Sequence, residues 1–326
     1  MRAVLCEAWG PPESLILADL PEPRAGQGEA VVRVAATALN FLDTLIVQGR
    51  YQHKPPFPFS PGAEIAGVVD SVGTAVTGVR VGERVIANLG WGGAREKVVV
   101  QADRLIPVPD AVGDEAAAGL LVAYGTTLHA FRQRANLQPG ETVAVLGASG
   151  GVGLAAVELG KRLGARVIAV SSGAKLDVCR AAGADGVIDY ETEDLKERLR
   201  ALTDGRGVDV VYDAVGDRFT EPAVRALARG GRHLVIGFAA GEIPRIPLNL
   251  LLLKSASLLG VNWGLFAQTD PATFRANARE LLDLVARGDL EPPISETYPL
   301  ERTGEAIRRL ADRKVTGKVI VKPSMS

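Results

Sequence analysis

The sequence predicts an α/β protein in which a doubly wound, parallel-sheet domain is carried by a second, irregular β domain. Three observations predict it: a glycine-rich turn between an apolar run and a helical pattern at 142–164, an alternation of strand-like and helix-like segments from 142 to 261, and a Pro- and Gly-punctuated β-rich pattern over residues 1–120. At 326 residues the chain exceeds the ~100–200 residues usual for one domain.

In the amino-terminal part, β-like runs at 29–36, 64–72 and 83–87 are separated by turn clusters such as Pro55-Pro56-Phe57-Pro58-Phe59-Ser60-Pro61-Gly62. From Thr142 the pattern reads strand 142–147, helix 152–164, strand 166–170, helix 174–182, strand 187–189, helix 192–203, strand 208–213, helix 218–228, strand 232–237 and strand 257–261. Such alternation implies six parallel strands covered on both faces. Gly164, Gly183 and Gly230 are read as helix ends, where a left-handed residue closes the last turn. The apolar stretch 246–253, broken by Pro247 and Asn249, falls short of the ~20 residues that cross a bilayer and reads as a short helix covering an apolar surface. Helices at 271–287 and 302–312, a turn at Pro292-Pro293 and a last strand at 317–322 rejoin the first domain. The expected domains are 1–122 completed by 263–326, and 123–262, with a cleft between them. No internal repeat or low-complexity segment interrupts the pattern.

Lys plus Arg number 37 against 38 for Asp plus Glu, so charge gives no reason to expect nucleic acid or a membrane surface as partner. Cys6 and Cys179 stand far apart with no second thiol or histidine at ligand spacing, which fits a reducing compartment and buried small side chains. Met1-Arg2-Ala3-Val4-Leu5 lacks the pattern of a secretory signal, and a cytoplasmic protein is expected.

The turn itself is Gly147-Ala148-Ser149-Gly150-Gly151-Val152-Gly153. Glycines let a backbone approach a dinucleotide pyrophosphate, and the amides that open the following helix offer donors at the positive end of its dipole. Ala148 replaces the first glycine of the usual G-x-G-x-x-G, so a tight structural turn is the competing reading. At the end of strand 166–170, where an NAD site carries an acid, the chain has Ser171 and Ser172 with Lys175 close behind. A small hydroxyl and a lysine suit a 2′-phosphate, so NADPH is the expected cofactor; a solvated Lys175 is the alternative.

Asn40-Phe41-Leu42-Asp43-Thr44, Pro61-Gly62-Ala63-Glu64-Ile65-Ala66-Gly67, Gly82-Glu83-Arg84-Val85, the 148–153 turn and Tyr212-Asp213-Ala214-Val215-Gly216 follow one another along the chain. These motifs carry a resemblance, over essentially the full length, to the medium-chain dehydrogenase/reductase superfamily and within it to the zinc-free, zeta-crystallin-like quinone oxidoreductases. It implies a GroES-like β catalytic domain beside a Rossmann NADPH-binding domain. Zinc-dependent members bind metal through a Cys where this chain has Asn40 and a His where it has Ala63, so no metal is expected. Glu64 is then read as a charge held by an arginine such as Arg84. The resemblance also implies that Tyr51 and Thr126 meet the nicotinamide and its ribose, and that Tyr190 and Arg313 reach the adenosine phosphate. Tyr51 as loop packing and Thr126 as a helix cap stay open. Gly216, Gly237-Phe238-Ala239 and Val261-Asn262-Trp263 fall at strand ends, where open sheets bind ligands.

No nucleophile flanked by a base is legible around His53, His129 or His233, which leaves hydride transfer. Quinones and α,β-unsaturated carbonyls accept hydride when their oxygen is hydrogen-bonded, and Asn40, Tyr51 and a backbone amide near Phe238 are the candidates for that role. Asn40 as a tie between loops is the alternative. Trp91, Trp263 and Phe266 are candidates for an apolar acceptor pocket or for core packing. The expected function is NADPH-dependent reduction of quinones or enones; the alternatives are a 2-enoyl thioester reductase and an NADPH-binding structural or RNA-binding protein. Strand 257–261 resembles the family's edge strand, so a homodimer is expected.

Overall fold

The computed structural model describes residues 1–324. It divides into two compact units, Met1–Val122 with the chain from Ala272 onward, and Ala123–Pro271. The second junction lies beyond the expected 262/263 because the helix Trp263–Thr269 packs within the second unit. Trp263 covers Gly125, where an added Cβ would lie 2.9 Å from the indole Nε1, and Phe266 stacks on His129 with ring centroids 4.0 Å apart.

In the second unit six strands run parallel in the order Gly186–Asp189, Arg166–Ser171, Thr142–Leu146, Val208–Asp213, Leu227–Val235, Ser257–Gly260. All five residues of Thr142–Leu146 are buried, as a strand covered on both faces must be, and this accounts for its unbroken apolar run. Its core joins Ala144, Leu146, Ile168, Val170, Val208 and Val211 to Leu195, Leu199 and Val224 from the covering helices. The strand order turns between Thr142–Leu146 and Val208–Asp213, so the carboxyl ends of these two strands form the switch point where such sheets take ligands.

One reading is corrected here. Gly230 does not end a helix: the helix Thr220–Arg225 stops earlier, and Gly230, at φ +74°, serves the irregularity in strand Leu227–Val235 where Leu227 pairs with Val208 but Arg232 with Val210. The helix Asn249–Lys254 forms and covers the core with Leu250, beside which Ile246 and Leu251 also pack; its other side is open, with Leu248, Leu252 and Leu253 72%, 80% and 78% exposed, so the stretch also presents an apolar surface of its own.

In the first unit Glu29–Leu39 is the central strand. It pairs antiparallel with Glu64–Val72, Lys97–Gln101 and Lys318–Lys322, and the last of these continues in parallel to Ile294–Pro299. Register shifts between Val31 and Val32 and between Val34 and Ala36 let one long strand serve several partners. The same register sets Ala38 against Glu64 and Leu39 against Val319, which brings Asn40, Glu64 and Lys318 side by side.

Candidate active site

At the switch point the strand Thr142–Leu146 turns at Gly147 and enters the helix Gly151–Arg162. The amides of Gly147 and Ala148 donate to Val170, and that of Gly150 donates to Gly147. The first-turn amides of Gly151, Val152 and Gly153 have no carbonyl within the helix to accept them. Gly153 is required by close approach: a Cβ there would lie 2.1 Å from the Gly147 oxygen. Gly150 leaves room, since a Cβ there would meet nothing nearer than 3.5 Å.

Ser149 and Ser171 are both buried, and the Ser171 hydroxyl donates to Ser149 Oγ at 2.8 Å. Lys175 closes the short helix Gly173–Lys175, and burial holds its ammonium below the ordinary lysine range. An acid that the sequence reading passed over stands here too: a Cβ on Gly173 would lie 2.6 Å from Asp189 Oδ2. That carboxylate is tied to the Glu191 amide and the Thr192 hydroxyl. Tyr190 follows the strand Gly186–Asp189 and packs edge-on against Phe219 at 5.1 Å.

The other strand ends gather around Asp213. Its Oδ1 accepts from the amides of Val215 and Gly216, and its Oδ2 from Thr220 Oγ1 at 2.7 Å and His233 Nε2 at 3.1 Å. Gly216 takes φ +73°, and a Cβ on it would lie 2.8 Å from Phe238 Cδ1. The amides of Gly237, Ala239 and Ala240 go to the carbonyls of Asp213, Ala214 and Val215, leaving that of Phe238. Val261 donates its amide to Val235, and Asn262 Oδ1 caps the helix Trp263–Thr269 by accepting from Leu265. Thr126 is buried inside the helix Thr126–His129 and does not cap it. Its neighbour Thr127 makes the structural bonds, to Ala123 and to the Tyr212 hydroxyl at 3.0 Å.

The first unit holds a separate polar cluster. Glu64 Oε1 accepts from Lys318 Nζ at 2.8 Å and Asn40 Nδ2 at 3.0 Å, while its Oε2 accepts from the Val122 amide. Asn40 Oδ1 accepts from Lys318, and Asn40 Nδ2 also donates to Ala38. Arg84 plays no part, being paired with Asp114 at 2.6 Å; the partner of Glu64 is Lys318. Both N–H groups of the Asn40 amide are engaged within the protein, which favours the tie between loops over a donor role towards an acceptor molecule. Asp43 lies beneath, accepting from the amides of Asn40 and Gly62. Burial pushes its carboxyl up to about 6, against the pull of those two bonds and of Lys318.

Tyr51 is half-buried beside His53 and packs against the core that includes Ile46, Val47 and Phe59. Burial, then the Asp43 charge, raises its hydroxyl pKa. That hydroxyl makes no hydrogen bond among the described residues. Arg313, at φ +56°, follows the helix Thr303–Ala311 in the same unit, and Trp91 is exposed there. Sequence reasoning missed Lys318, His233 and Thr220. The signals were a lysine opening the apolar strand Lys318–Lys322 and a histidine directly before the apolar run 234–236.

The model of the alcohol dehydrogenase GroES-like domain matches residues 26–110, and that of the zinc-binding dehydrogenase domain matches residues 151–286. A quinone oxidoreductase-like protein 2 homolog from Nematostella vectensis is 38% identical over 98% of this chain and 88% of its own length. The Pseudomonas aeruginosa quinone oxidoreductase is 36% identical, over 97% of this chain and 98% of its own. The Escherichia coli quinone oxidoreductase, solved in complex with NADPH, superposes with a TM-score of 0.92 at 29% identity, covering 99% of this chain and 100% of that one. With a GroES-like β domain, a Rossmann domain and full-length quinone oxidoreductase relatives, the chain belongs to the zinc-free quinone oxidoreductase family of the medium-chain dehydrogenases/reductases.

Proposed function

We propose that this oxidoreductase reduces quinones or α,β-unsaturated carbonyls with NADPH and without zinc. The observation that carries the reading is the turn at 147–153, with first-turn amides that no helix carbonyl accepts, and the Ser149–Ser171 pair with Lys175 at the neighbouring strand end. Backbone donors at a helix start suit a pyrophosphate, and a lysine among hydroxyls suits a 2′-phosphate. The NADPH complex of the Escherichia coli relative supports the same cofactor.

In this reading Ala123–Pro271 is the NADPH-binding unit and the other unit is catalytic. Ser149, Gly150, Gly151 and Val152 hold the pyrophosphate; Ser171, Lys175, Tyr190 and Arg313 hold the adenosine phosphate. Thr126, Gly216, Gly237, Phe238, Ala239, Val261, Asn262 and Trp263 serve the nicotinamide half. Bound NADPH supplies the hydride. Tyr51, whose hydroxyl is uncommitted, is the proposed donor to the acceptor oxygen, with the Phe238 amide as the alternative. Asn40 acts by fixing the cluster beneath. Zinc needs thiolate, imidazole or carboxylate ligands around an open position, and an amide at 40, a methyl at 63 and a buried Lys318 ammonium do not supply them.

The test is NADPH consumption with 9,10-phenanthrenequinone, crotonaldehyde and crotonyl-CoA in parallel, with ethanol oxidation as control. Turnover of the first two defines the proposed activity. Turnover of the thioester alone makes the chain an enoyl thioester reductase, and no turnover with any of them defeats the reading. We further propose a homodimer, supported by the edge strand Ser257–Gly260 and the exposed Leu248, Leu252 and Leu253 beside it in the second unit. A monomer in sedimentation equilibrium contradicts this.

A further inference from the structure

His233 is wholly buried in the strand Leu227–Val235, and its Nδ1 has no hydrogen-bond partner among the described residues. A proton on Nδ1 would therefore be a buried, unaccepted donor, so the ring proton belongs on Nε2, aimed at Asp213 Oδ2. That bond is the fourth on one carboxylate. The other three come from Val215, Gly216 and Thr220, so the carboxylate is saturated with donors although it is shut off from water.

The turn so fixed touches two of the other proposed cofactor-contacting segments. A Cβ on Gly147 would lie 2.9 Å from Val215 Cγ2, so Val215 sits directly against the glycine-rich turn. Ala214 and Val215 accept from Ala239 and Ala240, Asp217 donates to Glu242, and Gly216 faces Phe238. We propose that His233 is a positioning residue of the dinucleotide site: through Asp213 it locks the 214–217 turn, which in turn sets the spacing between the 147–153 turn and the 237–240 strand end. The inference rests on the reading of these turns as the cofactor site, but the lock itself is testable without cofactor.

The test compares full-length wild type with His233→Leu, which removes the donor, His233→Gln, whose amide restores one, and Thr220→Val, which removes the neighbouring donor. Amide exchange at Val215 and Gly216 should accelerate about tenfold in His233→Leu and Thr220→Val, in line with loss of one hydrogen bond to a charged group, and stay near wild type in His233→Gln. NADPH Kd from fluorescence titration should rise by the same factor of about ten in the two donor-free variants, with the Gln variant within about twofold. Unchanged exchange at 215–216 in His233→Leu overturns the proposal, as does equal acceleration in the Gln and Leu variants. Accelerated exchange in a protein whose wild type binds no NADPH upholds the lock and defeats the cofactor reading instead.

Discussion

Lys318 Nζ stands 2.8 Å from Glu64 Oε1 with both side chains closed to solvent, and Asn40 bridges the pair by accepting from one and donating to the other. The three residues come from the last strand, the start of strand Glu64–Val72 and the end of strand Glu29–Leu39, so the ion pair ties the carboxyl-terminal strand into the first unit. Removing one member leaves the other charged and buried. Lys318→Met should cost about 3–5 kcal/mol in urea unfolding, while Glu64→Gln with Lys318→Met should recover a large part of that loss. Equal stability of the Lys318→Met protein and wild type counts against the pair as a structural element.

Asp43 gives the stability of the protein a pH dependence of unusual sign. Its folded carboxyl titrates at about 6, raised from the ordinary 3.8, so between these values the folded state binds the additional proton. Stability contributed by this group is therefore present below pH ~4, falls as pH rises through ~4–6, and is flat above, by about 3 kcal/mol in all. Carboxylates such as Glu96 and Asp185, held below their ordinary range by Arg2 and Lys161, contribute in the opposite direction. The quantity to measure is thus the difference between wild type and Asp43→Asn in denaturant midpoint from pH 4.5 to 7. A difference that does not vary with pH would show that Asp43 is ionised throughout.

The parallel sheet was legible because most of its strands are short apolar runs closed by a helix or turn signal, and strand 208–213 agrees residue for residue with Val208–Asp213; Leu227–Val235 begins before the expected 232 because Arg229, Gly230 and Gly231 interrupt its apolar pattern. The Lys318–Glu64–Asn40 cluster was not. Its members are 24 and 254 residues apart from Glu64 in sequence, and only the register of three strands brings them together. Periodicity identifies a face and says nothing about which charge on another strand meets it. The exposed side of Asn249–Lys254 was not legible for a related reason: the leucine-rich run does pack Leu250 and Leu251 onto the core, but which of its leucines stay open is a tertiary fact.

Cofactor choice should turn on the strand end at Ser171. Its hydroxyl donates to Ser149, so an aspartate there both breaks that bond and brings a negative charge towards any 2′-phosphate. Ser171→Asp combined with Lys175→Ala should raise the NADPH Kd by about 10–100-fold, the range set by losing one charge-assisted hydrogen bond, and should lower that for NADH. Titration of the variant with each nucleotide checks it, and an unchanged preference removes Ser171 and Lys175 from the phosphate site.

Tyr51 and Asn40 make opposite predictions, because one hydroxyl is uncommitted and the other side chain is fully engaged. Tyr51→Phe deletes an oxygen that bonds to nothing in the described protein, so unfolding stability should stay within about 0.5 kcal/mol of wild type. If that oxygen hydrogen-bonds the acceptor as charge develops on it, kcat with 9,10-phenanthrenequinone should fall about tenfold or more while the NADPH Kd holds. Asn40→Ala instead strips one acceptor from Lys318 and one donor from Glu64, both buried, and should cost about 1–3 kcal/mol of stability. Measured side by side, a Tyr51→Phe enzyme with full kcat returns the tyrosine to loop packing beside Phe59 and Val47, and leaves the Phe238 amide as the donor to the acceptor oxygen.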